Sequence, residues 1–122
     1  MKYNIIQPEE RFSVLQFKPE IQPHIEMTSS LFTCGKCKTT TPITTRDLQE
    51  QFGVNKSSLS DEVKKFFDQV RPLDEVKWEY FMDFSCKHCD MQIRIIYQPW
   101  QFGTTNYGFY ITLVLEIDAS EL

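Results

Sequence analysis

Apolar residues recur along this chain with two different periods, and the change of period divides it. Val63, Phe66, Phe67 and Val70 stand at the i, i+3, i+4, i+7 spacing that gives a helix one buried face. That helix starts near Ser58 or Ser60 and stops before Pro72. Further on the period becomes two. Val76, Trp78, Tyr80, Met82 and Phe84 alternate with Lys77, Glu79, Phe81 and Asp83, which predicts a strand over 75–84 with one apolar face. Met91, Ile93, Ile95 and Tyr97 alternate in the same way, so Cys86 to Cys89 fall in the turn of a β-hairpin. A loop over 98–106 then leads to a third strand, with Phe109, Ile111, Leu113, Leu115 and Ile117 on one face.

The first half is less regular. Phe12 to Lys18 reads as a strand, Pro19 and Pro23 interrupt the chain, and the segment from Met27 through Thr33 reads as a strand running toward Cys34. Thr39-Thr40-Thr41-Pro42 reads as a loop. Thr44 or Thr45 offers an N-cap for a short helix over Arg46–Phe52, which Gly53 ends. The elements together predict an α+β domain: an antiparallel meander of at least three strands with two inserted helices packed on it.

Composition narrows the class. One chain of 122 residues with 41% hydrophobic residues, ten Phe and only four Gly is a single packed domain, 1–122, and not a disordered segment. A net charge of −4 and a pI near 5.1 argue against general affinity for phosphate backbones or anionic membranes. No apolar run reaches the length of a bilayer span, and the apolar block at the N-terminus is too short for a secretory signal. The expected location is the cytoplasm.

Four cysteines carry the clearest chemistry. They form two pairs, Cys34-Gly35-Lys36-Cys37 and Cys86-Lys87-His88-Cys89, each preceded by Phe and a small hydroxyl residue. In a reducing compartment, paired C-x-x-C units read as a metal site rather than as disulfides. Four thiolates make the tetrahedral set that Zn²⁺ favours, so Cys34, Cys37, Cys86 and Cys89 are the expected ligands of one structural zinc per chain. Iron is also chemically possible in such a site. A thioredoxin-type redox pair fits poorly, because threonines and Pro42 follow Cys37 where a helix is needed. Haem attachment needs His after the second Cys, where Lys38 and Asp90 stand.

The cysteine pairs and the hairpin at 76–97 resemble the zinc ribbon class, in which two knuckles on β-turns close around one structural zinc. The 48 residues from Lys38 to Ser85, with two helices, exceed the usual spacing between knuckles. The resemblance therefore implies the clamp and carries no function with it. A four-thiolate zinc has no open position, the H-x-E partner of zinc deaminases is missing, and His24 and His88 are the only histidines. No phosphate-binding or nucleophile-elbow motif occurs either. The chain is expected not to be an enzyme.

That leaves the partner. Leu48, Phe52-Gly53-Val54, Leu59 and Val63 resemble a helix-turn-helix over 45–66. Gln49 and Glu62 depart from that pattern, and Asp61 and Glu62 would face phosphates unfavourably. Trp100, Phe102 and Tyr107 cluster around the loop after the second hairpin, where they can anchor an interface or cover a sheet edge. The expectation is a non-enzymatic zinc-binding domain that binds another protein. In size and charge it resembles small immunity or inhibitor proteins that neutralise a basic toxin. A DNA-binding or transcription-associated zinc ribbon using 45–66 is the alternative.

Overall fold

The two longest elements are β6 (Gln92–Phe102) and β7 (Asn106–Ile117), paired antiparallel along almost their whole length. The computed structural model describes residues 3–18, 28–52, 54, 57–70, 80–102 and 106–118, with the backbone alone described at 101, 102, 106 and 107. β5 (Phe81–Ser85) pairs with the outer edge of β6. β1 (Asn4–Ile6) and β2 (Gln16–Phe17) share the outer edge of β7, completing a five-stranded antiparallel sheet. A second sheet is the hairpin of β3 (Ser29–Thr33) and β4 (Thr40–Thr44). Helices α1 (Thr45–Gln51) and α2 (Asp61–Gln69) complete an α+β meander with helices on the sheet, as the periodicity predicts.

Both helices begin where hydroxyl side chains can cap them. Thr44 accepts from the Asp47 amide while Asp47 accepts from the Thr44 amide, a reciprocal capping box. Ser60 caps α2 through the Val63 amide. Val63, Phe67 and Val70 are buried and Phe66 is half-buried, so the predicted helix face is the one that packs. The stops at Gly53 and Pro72, the breaks at Pro19 and Pro23, and the stretch 75–79 of the predicted strand lie outside the described residues.

Three expectations need correction. The large sheet does not have one apolar face and one polar face. Phe12, Phe17, Phe32, Ile43, Leu48, Ile93, Ile95 and Tyr97 form a core on one side, while Leu59, Val63, Phe67, Phe81, Ile96, Leu113 and Leu115 form another under α2. Phe81 and Asp83, on the face read as polar, are therefore buried. Second, the apolar residues of β7 do not share one face. A register shift at Ile96/Tyr97 leaves Thr112 unpaired in the ladder, and the Thr112 hydroxyl donates to the Ile96 carbonyl at 3.0 Å. Phe109 and Ile111 precede this bulge and face the first core, whereas Leu113, Leu115 and Ile117 follow it and face the second.

Third, two predicted loops contain strands. Thr40 to Thr44 form β4, because β-branched residues suit an exposed edge and the facing strand β3 supplies their pairing. Residues 98–102 and 106 continue β6 and β7 into a long hairpin. Trp100 lies opposite Gly108, and a Cβ at Gly108 would meet the Trp100 ring at 2.6 Å and the Phe17 carbonyl oxygen at 2.5 Å. The glycine makes room for the indole on the pleated surface.

One ionic group is buried between α2 and the sheet. Arg94 forks onto Asp83 of the neighbouring strand, Nε to Oδ1 at 2.7 Å and Nη2 to Oδ2 at 2.8 Å, and its Nη1 reaches Asp68 of α2 at 2.7 Å. The guanidinium also lies 3.9 Å from the centre of the Phe81 ring.

Candidate metal centre

Each cysteine pair occupies the turn of a hairpin, Cys34 to Cys37 between β3 and β4 and Cys86 to Cys89 between β5 and β6. The two turns are built alike. Cys34 N donates to Thr39 O at 3.0 Å and Cys86 N to Met91 O at 2.8 Å; Lys38 N donates to Cys34 O at 3.1 Å and Asp90 N to Cys86 O at 2.9 Å. The residue after the second cysteine is left-handed in both, with φ 64° at Lys38 and 59° at Asp90. A shift of 52 residues, from 34 to 86, maps the whole ladder Ser29↔Thr44 through Thr33↔Thr40 onto Phe81↔Ile96 through Ser85↔Gln92. The short likeness between the pairs is thus the visible part of two matching hairpins. They meet through the Phe32 and Phe84 rings, edge to face at 5.3 Å.

The four Sγ atoms lie within 4.8 Å of one another. The close approaches cross between hairpins, Cys34 to Cys89 and Cys37 to Cys86, both at 3.5 Å. A metal bound tetrahedrally at about 2.3 Å from each sulfur spaces the sulfurs about 3.8 Å apart. The cluster therefore fits a four-thiolate metal ion. Cys34 and Cys86 are buried, and Cys37 and Cys89 are half-buried. All four predicted metal ligands are brought together.

Protonation of the cluster is uneven. The Thr39 hydroxyl, 3.3 Å from Cys37 Sγ, and then the Thr39 amide hold the Cys37 thiol down at about 6. Burial pushes Cys34 up, against the amides of Cys37 and Lys36, and burial pushes Cys89 up to about 12. Packing four thiols together disfavours ionising all of them, so a cation that takes four thiolates must displace protons as it binds.

Behind the first knuckle stands a pair of charges that no motif or spacing marks. Arg11 Nε donates to Glu116 Oε1 at 2.5 Å, with the Glu116 side chain 2% exposed. A Cβ at Gly35 would collide with this pair, so glycine lets the turn lie against it. Lys36 adds an exposed ion pair to Asp118 at 2.9 Å. The first knuckle is thereby fastened to the end of β7.

The other predicted site residues lie elsewhere. Trp100 is half-buried in β6, and Phe102 and Tyr107 stand at its far end and in β7, opposite Asn106 and Gln101. The side-chain contacts of Phe102 and Tyr107 lie outside what is described. α1 and α2 are separated by residues 52–60, of which Gly53, Asn55 and Lys56 are not described. No helix among the described residues is long and apolar enough to cross a membrane. Compared with protein-family models, curated proteins and solved structures, the chain matches none.

Proposed function

We propose that this chain is a non-enzymatic protein-interaction domain, stabilised by one structural zinc in a zinc ribbon-like clamp. The observation that carries this reading is the convergence of four Sγ atoms, from two matching hairpins, within 4.8 Å. An all-thiolate set of four suits zinc and leaves no coordination position for substrate, which supports a structural role over a catalytic one. Cys34, Cys37, Cys86 and Cys89 would hold the metal, whose contribution when bound is to cross-link the two hairpins. Free thiols at this density fit a reducing compartment and hence the cytoplasm.

The partner half of the reading rests on charge and surface. A net charge of −4 favours a basic protein over nucleic acid, as in the small immunity or inhibitor proteins that this chain resembles in size and acidity. Trp100, Phe102 and Tyr107, at the far end of the β6–β7 hairpin, are the proposed anchors. The DNA-binding alternative is disfavoured by α2, which buries Val63 and Phe67 and carries Asp61 and Glu62 in its first turn.

Elemental analysis of the purified protein is expected to find one zinc per chain; iron in its place, with the visible colour of a ferric thiolate centre, would overturn the zinc assignment. Mixed with random duplex DNA at low salt, the protein is expected to show no salt-sensitive binding. Such binding would instead favour the 45–66 segment as a DNA contact. Trp100→Ala is expected to weaken partner binding more than it lowers the melting temperature. Equal loss of both would make Trp100 a packing residue.

A further inference from the structure

Between the small sheet and the edge strand β5 runs a groove of about 430 Å³. Its apolar part includes the half-buried side chains of Met82 and Phe84, with the exposed ring of Pro42 across from them on β4. Charge is divided between its ends. Glu50, exposed on α1, lines one end, whereas Lys87 and His88, the two exposed residues inside the second knuckle, line the other. Asp47 also borders the groove, but its carboxylate is engaged at the Thr44 cap.

We infer that this groove takes an extended segment of a partner protein in which an apolar side chain sits between a basic residue and an acidic one. The inference rests on the protein-binding reading and names a surface at the opposite end of β6 from Trp100. The volume suits one large side chain with its flanking chain. Met82 adapts to varied shapes, and Phe84, fixed edge-on by Phe32, gives the apolar side chain a rigid surface. The basic residue is drawn to Glu50 and the acidic one to the Lys87 ammonium, so opposite charges at the two ends set the direction in which the segment lies.

The backbone explains why side chains must do the reading. Antiparallel alternation turns the N–H and C=O of Ser85 away from β6, toward the open edge, and turns Thr40 and Pro42 away from β3. Pro42 has no N–H to offer, and the Asp83 carbonyl already accepts from the Ser58 hydroxyl at 3.0 Å. A full ladder of added strand is therefore blocked on β4 and broken on β5. Recognition falls to the apolar floor and the two charged ends.

The test exposes an array of random decapeptides to the intact, zinc-loaded protein. Enrichment of peptides carrying an apolar residue with Lys or Arg on one side and Asp or Glu on the other, in either chain direction, is expected. Glu50→Lys should weaken those peptides about tenfold and shift the preference at the basic position to acidic residues. Lys87→Glu should do the converse at the acidic position. Both positions are exposed, so melting temperatures should stay near wild type and separate binding from folding. No enriched pattern, or a pattern indifferent to both substitutions, overturns the groove. Enrichment that Trp100→Ala abolishes and Glu50→Lys spares also overturns it, while leaving the protein-binding reading intact.

Discussion

Among the described residues, Lys38 and Asp90 are the non-glycine positions with positive φ, and each directly follows the second cysteine of a knuckle. A left-handed conformation costs an L-residue about 1–2 kcal/mol, less for Asp than for Lys. Lys38→Gly is therefore expected to stabilise the protein by about 0.5–1 kcal/mol, after the entropy that glycine adds to the unfolded chain. Asp90→Gly should gain less. Chemical denaturation of both variants measures the difference, and a destabilised Lys38→Gly would mean that its ammonium bond to the Gly35 carbonyl outweighs the backbone. At the ligands the sign is opposite: Cys34→Ser or Cys86→Ser should lose the metal and much of the fold, because metal binding and folding are coupled at such a site. A metal-free Cys34→Ser protein with unchanged thermal stability would falsify the structural role.

At the scale of elements, Arg94 is the residue whose removal should cost most. Its loss strands the Asp83 carboxylate, fully buried between α2 and the sheet, and breaking a buried pair in this way costs about 3–5 kcal/mol. Arg94→Leu should fall in that range, while the double variant Asp83→Leu, Arg94→Leu should recover most of it, as a double-mutant cycle would show. Acid acts on the same group through α2. Burial raises the Asp68 carboxyl, but its bonds to Arg94 and Lys64 outweigh that and hold it below the ordinary 3.8. A depressed folded pKa means the contribution is whole above that value and is lost as the pH falls below it. Asp68→Asn should remove this acid-sensitive part, seen as a flatter stability profile at low pH.

The same elements show what could be read in advance. The cysteine spacing, the helix face of Val63 and Phe67 and the caps were legible because each rests on neighbours in sequence. Asp83 fell on the face read as polar because alternation reveals which residues share a face, not whether α2 will cover the second one. The β7 bulge was hidden for a related reason: Phe109 to Ile117 alternate without a break, and the extra residue shows only against the register of β6. The turn similarity was readable over six residues, and the left-handed positions after it were not, since neither Lys38 nor Asp90 is a glycine.

For the molecule as a whole, the cysteine cluster joins the β3–β4 layer to the five-stranded sheet, which has its own core under α2. Removing the metal with a chelator should therefore loosen the small layer first. Hydrogen exchange is expected to accelerate over 29–44 well before it does over 93–97 and 113–117; uniform acceleration would mean one cooperative unit. The distance of 52 residues between matching knuckles also sets an order of events. A ribosome adding about 5–20 residues per second delivers Cys86 about 3 to 10 s after Cys34. Through that interval the first hairpin holds two thiols without Cys86 and Cys89, a half-site more open to oxidants and to wrong metals than the folded cluster, in which Cys34 and Cys86 are buried.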